Sequence, residues 1–445
     1  MCLDRNIGHL FGLGLIRTGS GQPFLRTHKS SVTTTPFAKT RPISATFPSM
    51  LPFELWGRIL RLATSNPSKH MLHDDHILEP DFCKPNIRAS YYFDSRKTKR
   101  AVVLVCKTWH SIAIKFLYED VWLSNFDRLK ALKDNLTRQS EGVAGGGSNR
   151  RNYGWWIKEL TITVPYPSAS DPQVLPFVTS LLMLCPNLSI LVMSGRFEDK
   201  GKNYGQLARS IQDWTPKLEC LDVHQLGEGQ AKSSHYLFNI SSLRTLRIKW
   251  EYNIIGRIPQ FRHDTLTSLS LAIDKNRDIP LHKMITLPHL TSLYLRGSDL
   301  DKPSIVELVR LYGKQLLTLG LQVVPPYGDT LRQLLSIVSE LLFLCSNLKE
   351  FFWHDSSTSI MPATPLNTRS GSQYHSIKLL GVSVSSVDWK KHHYLSQFPN
   401  LKTIRFIDVL ERRLPVIVGE EAGVDAVKDV PLGIAIENAL GNVIA

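Results

Sequence analysis

The sequence is poor in cysteine: six in 445 residues, none of them in a Cys-x-x-Cys pair. That excludes a disulfide framework and the usual zinc-ribbon spacing, and it suits a reducing compartment, cytoplasmic or nuclear. Long apolar runs are also missing. None approaches the ~18 residues that cross a bilayer, and the longest early one, Ile7–Ile16, carries His9. No membrane partner is expected.

Motifs of common active sites are absent too: there is no G-x-S-x-G, no H-E-x-x-H, and no G-x-G-x-x-G after a strand. Gly201-Lys202 lies one residue too far from Gly195 for a phosphate loop, and Asn203 stands where Ser or Thr is required. The densest cluster of potential metal ligands, His70, His73, Asp74, Asp75 and His76, lies between Pro67 and Pro80 with no distant further ligand. That is the pattern of a solvated loop more than of a zinc site. The expectation is a protein that is not an enzyme, with no catalytic residue, metal or cofactor.

Acidic residues are scarce at the start of the chain. Asp4 alone faces Arg5, Arg17, Arg26, Lys29, Lys39 and Arg41, within a Ser/Thr-rich stretch. Residues 1–48 read as a disordered tail or a transit peptide, and the glycines there argue against the amphipathic helix a transit peptide needs. The net charge of +14 favours acidic partners; spread thinly beyond the tail, it does not call for nucleic acid.

What the sequence does have is a repeat. LLMLCPNL at Leu181–Leu188 and LLFLCSNL at Leu341–Leu348 agree at six of eight positions. The second leucine-rich signal is the template L-x-x-L-x-L, which recurs ten times if any large apolar residue is allowed, beginning at Ile157, Leu188, Leu218, Leu243, Leu266, Leu290, Leu316, Leu348, Ile377 and Leu401. The spacing averages about 27 residues. The last two template positions lie two apart, so both side chains point to one face of a short strand. Segments of helical periodicity lie between matches, for example Ile305, Leu308, Val309 and Tyr312. One strand and one helix cannot bury their apolar faces alone, whereas stacked copies can. Cys185 and Cys345 then mark the same place six repeats apart, too distant to share a bond or a metal.

This region resembles the leucine-rich repeat family, without the Asn or Cys usual after each strand motif. The resemblance implies a parallel solenoid, strands on the concave side and helices on the convex side. Concave strand positions include Arg247, Lys249, Tyr294, Arg296 and Phe352, with His354 beyond. They are the candidate substrate-binding residues, suited to an acidic or phosphorylated protein partner because Arg and aromatics are enriched in interface cores. Tyr153, Trp155 and Trp156 are placed to cap the first repeat.

Before the repeats come two amphipathic stretches. Leu51–Ala63 carries a stripe of Leu55, Ile59 and Leu62. In Lys99–Tyr118, Val102, Val105, Trp109, Ile112 and Phe116 are spaced by three and four. The pattern Leu51-Pro52-x-Glu54-Leu55, then Val105-Cys106-Lys107-x-Trp109, then Leu117–Trp122, resembles the F-box family, in particular the F-box-like proteins expanded in mushroom-forming fungi. The departure is an insertion at about 65–94. The resemblance implies a helical head in which Leu51, Pro52, Leu55 and Ile59 bind a Skp-type linker protein and thereby a cullin. Val105, Cys106 and Trp109 would belong to the head's core.

The expected fold class is thus α/β, a short helical head followed by a solenoid. The expected divisions are a tail at 1–48, the head at 49–136, a Gly-rich linker at 137–152, the solenoid at 153–410 and a cap or tail at 411–445. The function implied by the resemblance is substrate-recognition adaptor of an SCF-type ubiquitin ligase. The alternative is a protein-interaction scaffold acting outside ubiquitination.

Overall fold

A computed structural model describes residues 51–64, 85–144, 152–164, 173–194, 202–223, 239–249, 261–273, 281–297, 303–323, 331–355, 374–382, 395, 397–406 and 434–437. The histidine cluster at 70–76 and the tail at 1–48 lie outside them.

Three helices come first: α1 (Phe53–Thr64), α2 (Pro85–Leu104) and α3 (Lys107–Glu119). Strand β1 (Asp120–Leu123) follows α3 with no residue between them, and α4 (Phe126–Ala144) follows β1. The strands β2 (Glu159–Thr163), β3 (Ile190–Ser194), β4 (Cys220–Val223), β5 (Thr245–Lys249), β7 (Ser268–Ile273), β9 (Ser292–Gly297), β10 (Thr318–Val323), β11 (Glu350–Asp355), β12 (Leu379–Val382), β13 (Thr403–Phe406) and β14 (Ala435–Glu437) join β1 in that order. Together they form one open, all-parallel, twelve-stranded sheet, giving a mixed α/β, solenoid-like fold. The intervening β6 (Phe261–Arg262) and β8 (Ile285–Thr286) pair only with each other.

Each of the ten template matches lies at one strand of this sheet, and the register carries the template through without a slip: Leu160↔Leu191, Leu191↔Leu221, Leu221↔Leu246, Leu246↔Leu269 and Leu269↔Leu293. These leucines are at most 1% exposed, and each contributes on the order of 1.5–3 kcal/mol by burial. Their cover comes from helices between strands: α5 (Val174–Leu182), α6 (Lys202–Trp214), α8 (Pro303–Tyr312) and α9 (Leu331–Leu344), with the single turn α7 (Leu281–Met284). One apolar cluster runs unbroken from Leu60 in α1 to Ile436 in β14.

A second regularity lies just before each strand. The carbonyl of Lys158 accepts from the N–H groups of both Ser189 and Ile190, and Ser189 then accepts from Glu219 and Cys220. The same step repeats as far as Lys378, which accepts from Lys402 and Thr403. The residue before the first template leucine adds a side-chain tie. Asn187 donates to the Trp155 carbonyl (2.9 Å), Asn347 to Lys314 (2.6 Å) and Asn400 to His375 (2.7 Å). Thr265 makes the equivalent bond to Ser241 (2.8 Å). The rungs are thus laced by side chains on the strand's entry side, which is where asparagine occurs, and not after the strand.

Several boundaries differ from the expectations. The sheet starts one rung earlier, at β1, inside the region assigned to the head: Tyr118, Val121 and Leu123 satisfy the template with an aromatic in first place. Strand β14 adds a rung at the far end. Helix α4 runs on to Ala144, through the first half of the segment read as a linker, and α2 begins at Pro85, within the segment read as an insertion. The aromatic group at 153–156 does not close the end of the array. It forms a 3-10 turn between rungs, with Tyr153 stacked on Trp156 (5.1 Å) and packed on Tyr118 (4.7 Å), while Trp155 stays 46% exposed. Strand β1 takes the end position instead.

Candidate functional site

Two surfaces carry the residues singled out by sequence. The first is α1, whose backbone starts at Pro52, the carbonyl of which accepts from Leu55 N–H (3.0 Å). Its inner side is fixed by Leu60, which is 2% exposed, by Thr64, whose hydroxyl donates to the Leu60 carbonyl (2.7 Å), and by Trp56, which meets Trp109 of α3 at 5.1 Å. Its other side is apolar and uncovered. Leu51 is 41% exposed, Phe53 55%, Leu55 42%, Ile59 45% and Leu62 76%, and Pro52 is exposed with them. A twelve-residue helix presenting four large apolar side chains to water, with Leu51 just before it as a fifth, is a surface of the kind that marks an interaction site.

The same region corrects part of the expected head core. Trp109 packs on the core, but Val105 is 59% exposed, and so is its neighbour Leu104 at 67%. Cys106 is exposed as well and serves as the N-cap of α3, its sulfur accepting from Trp109 N–H at 3.5 Å. The reason is a break in the helix. The amphipathic spacing from Lys99 to Tyr118 suits one continuous helix, but α2 stops at Leu104 and α3 starts at Lys107, so the two residues at the junction turn outward.

The second surface is the face of the sheet turned away from the helices. Register defines a row across it: Trp122, Thr161, Val192, Asp222, Arg247, Ser270, Tyr294, Gly320, Phe352, Gly381, Arg405 and Glu437. The middle of this row is not the accessible strip expected of Arg247, Tyr294 and Phe352. Arg247 is 7% exposed and contacts Asp222 on the next rung, Nη1 to Oδ2 at 3.6 Å, a close ionic contact more than a hydrogen bond. The Tyr294 ring lies over Gly320, where an added Cβ would fall 2.2 Å from its Cδ1, and the Phe352 ring lies over Gly381, at 2.0 Å. Tyr294 is 3% exposed and Phe352 0%. Each large group occupies the space left by a small or opposite partner one rung away, so these three residues stabilise the sheet and offer little surface to a ligand. Arg296 is half-buried, and register sets it beside Ala272 and Gln322, in line with Lys249 and His354.

Burial pushes the Cys185 and Cys345 thiols up to about 12, which disfavours the thiolate at neutral pH. Among the described residues no group of three or more His, Cys, Asp or Glu side chains is placed to hold a metal ion, and no helix is long and apolar enough to cross a membrane.

No protein-family model matches the sequence, and no curated protein matches it. Among solved structures, it is similar to a protein of Bacteroides fragilis at 14% identity, covering 79% of this chain and 82% of that one, with a TM-score of 0.34. It is also similar to a chain of the yeast Rad7–Elc1 complex at 12% identity, covering 88% and 93%, with a TM-score of 0.35. Both scores are too low to carry an assignment.

Proposed function

We propose that this chain is a substrate-recognition adaptor of an SCF-type cullin–RING ubiquitin ligase. Its F-box-like head binds a Skp-type linker protein, and its leucine-rich repeats bind a protein substrate. The observation that carries this reading is the uncovered apolar side of α1. Leu51, Pro52, Leu55 and Ile59, the positions that the F-box resemblance assigns to linker binding, are all exposed, with Phe53 and Leu62 beside them, while Trp56 and Leu60 hold the helix down. In this role the chain performs no chemistry. It raises the concentration of a bound substrate beside the conjugating enzyme, an effective-concentration effect. Substrate contact falls on the repeat surface, and the row through Arg296 suits an acidic or phosphorylated partner better than the buried row through Arg247.

The test is capture of purified Skp-type linker protein, with cullin, by wild type and by the Leu55→Asp/Ile59→Asp variant. Both substituted side chains are exposed, so folding is preserved. Micromolar or tighter binding by wild type, lost in the variant, supports the ligase role. Absence of binding by wild type sinks it and leaves a repeat scaffold acting outside ubiquitination.

A further inference from the structure

Helix α2 makes contacts that an insert lying idle between two halves of a head would not make. Among the described residues, strand β1 is first in the sheet, with β2 as its one strand neighbour. Its outer edge would expose backbone donors, a liability that folds cover. The Trp122 N–H donates to the Tyr92 hydroxyl at 2.9 Å, so this hydrogen is not given to β2 and belongs to the edge. Tyr92 is 5% exposed and its ring meets that of Trp122 at 5.6 Å. About two helical turns further on, Lys99 approaches Asp120 at 4.0 Å, with both side chains buried. Between Tyr92 and Lys99 on α2, the Ser95 hydroxyl donates to the carbonyl of Thr64, the last residue of α1 (3.0 Å). Glu119 then bridges Arg61 of α1 (3.7 Å) and Lys158 at the entry to β2 (2.8 Å).

We propose that α2 is a cap and coupler: it closes the edge of β1, and in doing so it fixes the apolar side of α1 in one orientation relative to the sheet. The argument is one of connection. α1 is held by α2 and α3; α3 passes into β1 without a linker, and α2 supplies the edge partner of β1. Tyr92, Lys99 and Asp120 are positioning residues here. Breaking a buried ion pair strands a charge, and losing the Tyr92 ring opens the edge, so the seam either holds as a unit or comes apart. Whatever binds α1 is thereby held at a set distance from whatever binds the repeats, and this holds even if the occupant of α1 is not a linker protein.

Two measurements on the full chain test this. Spin labels are attached through unnatural amino acids at the exposed Arg58 and Ser346, which leaves the cysteines native. The distance distribution of the wild type is expected to be single and narrow, and that of the Tyr92→Ala/Asp120→Asn variant several times broader. Hydrogen exchange of β3 through β13 should be unchanged in the variant. A broad distribution in the wild type, or a narrow one in the double variant, overturns the proposal. Should the variant lose protection throughout, Tyr92→Phe decides: it keeps the ring and removes one hydrogen bond. Exchange at the Trp122 amide should rise about fivefold, with β4 unaffected; an unchanged rate at Trp122 refutes the edge contact.

Discussion

The most exacting test of the sheet is Gly381→Ala. A Cβ at Gly381 would lie 2.0 Å from Cδ1 of Phe352, 2.6 Å from Cε1 and 3.0 Å from Cγ. Carbon atoms settle at about 3.5–4.0 Å, so the ring has to retreat by roughly 1.5 Å. It has little room to do so. Phe352 is 0% exposed, and the Tyr294 ring stands behind it with centroids 6.4 Å apart. Overpacking of this kind costs about 1–3 kcal/mol, and a clash with a rigid, enclosed ring belongs at the upper end. Because a repeat array opens locally, the assay is hydrogen exchange over β11 and β12, where 2–3 kcal/mol appears as a roughly 30- to 150-fold rise in opening. The Gly381→Ala/Phe352→Leu double variant should be more stable than the two single changes would sum to, because shortening the ring removes the clash. If Gly381→Ala exchanges like wild type, or if the two changes are additive, the ring does not lie on Gly381 and the account of the row is wrong.

Two further outcomes follow from the rung-to-rung contacts. Asn347→Ala should cost about 1 kcal/mol, the worth of one hydrogen bond, and Asn187→Ala somewhat more, because its Oδ1 also accepts from Lys217 Nζ (2.7 Å). Lying six rungs apart, they should add in the double variant by denaturant titration, and strong coupling would mean that the ties are not local. His263 is buried with Nε2 at 3.1 Å from the Ile240 carbonyl, and burial lowers its pKa from 6.5 despite the neighbouring Asp264. The native state therefore binds the proton less readily than the unfolded one. Stability is whole above 6.5 and falls as pH drops from there towards the folded pKa. Thermal denaturation followed across that window should show the fall in wild type and a shallower slope in His263→Asn, and equal slopes would refute it.

How much of this was legible in the sequence differs by level. The sheet was legible because L-x-x-L-x-L is a geometric demand: two inward side chains per strand and one at the turn, which leucine meets at every rung. The first rung was hidden by attribution, since Tyr118, Val121 and Leu123 fit the template but also continue the helical stretch ending at Glu119. The last had no signal, because Gly433 stands where the first apolar residue would be. The stripe Leu55, Ile59 and Leu62 marks α1 as an amphipathic helix, but only the F-box resemblance implies that this side is left for a partner. The helix break that exposes Val105 and Cys106 was not legible, since no Gly or Pro marks it. Accessibility across the sheet is not set by periodicity: which face a side chain occupies follows from period two, but whether it is covered depends on its neighbours across the rungs. That signal was available. Aligned by template, Tyr294 sits beside Gly320, Phe352 beside Gly381, and Asp222 beside Arg247, and each pairing joins a residue to the space or charge it needs.

The two near-copies LLMLCPNL and LLFLCSNL show the same logic at the scale of single positions. Four of their shared residues form the buried side: Leu181 and Leu341, Leu182 and Leu342, Cys185 and Cys345, and Leu188 and Leu348 are each at most 2% exposed. A fifth, Asn187 and Asn347, makes the tie to the previous rung. The positions where the copies differ face outward: Met183 is 49% exposed and Phe343 74%, while Pro186 is half-buried and Ser346 exposed. Identity within the repeat therefore follows burial and hydrogen bonding, and no chemistry needs to be invoked for the cysteines. They are small apolar groups that fit beneath the turn. By the same reasoning, under the proposed adaptor role binding specificity falls where the repeats disagree and remain exposed, and not on the buried row through Arg247, Tyr294 and Phe352.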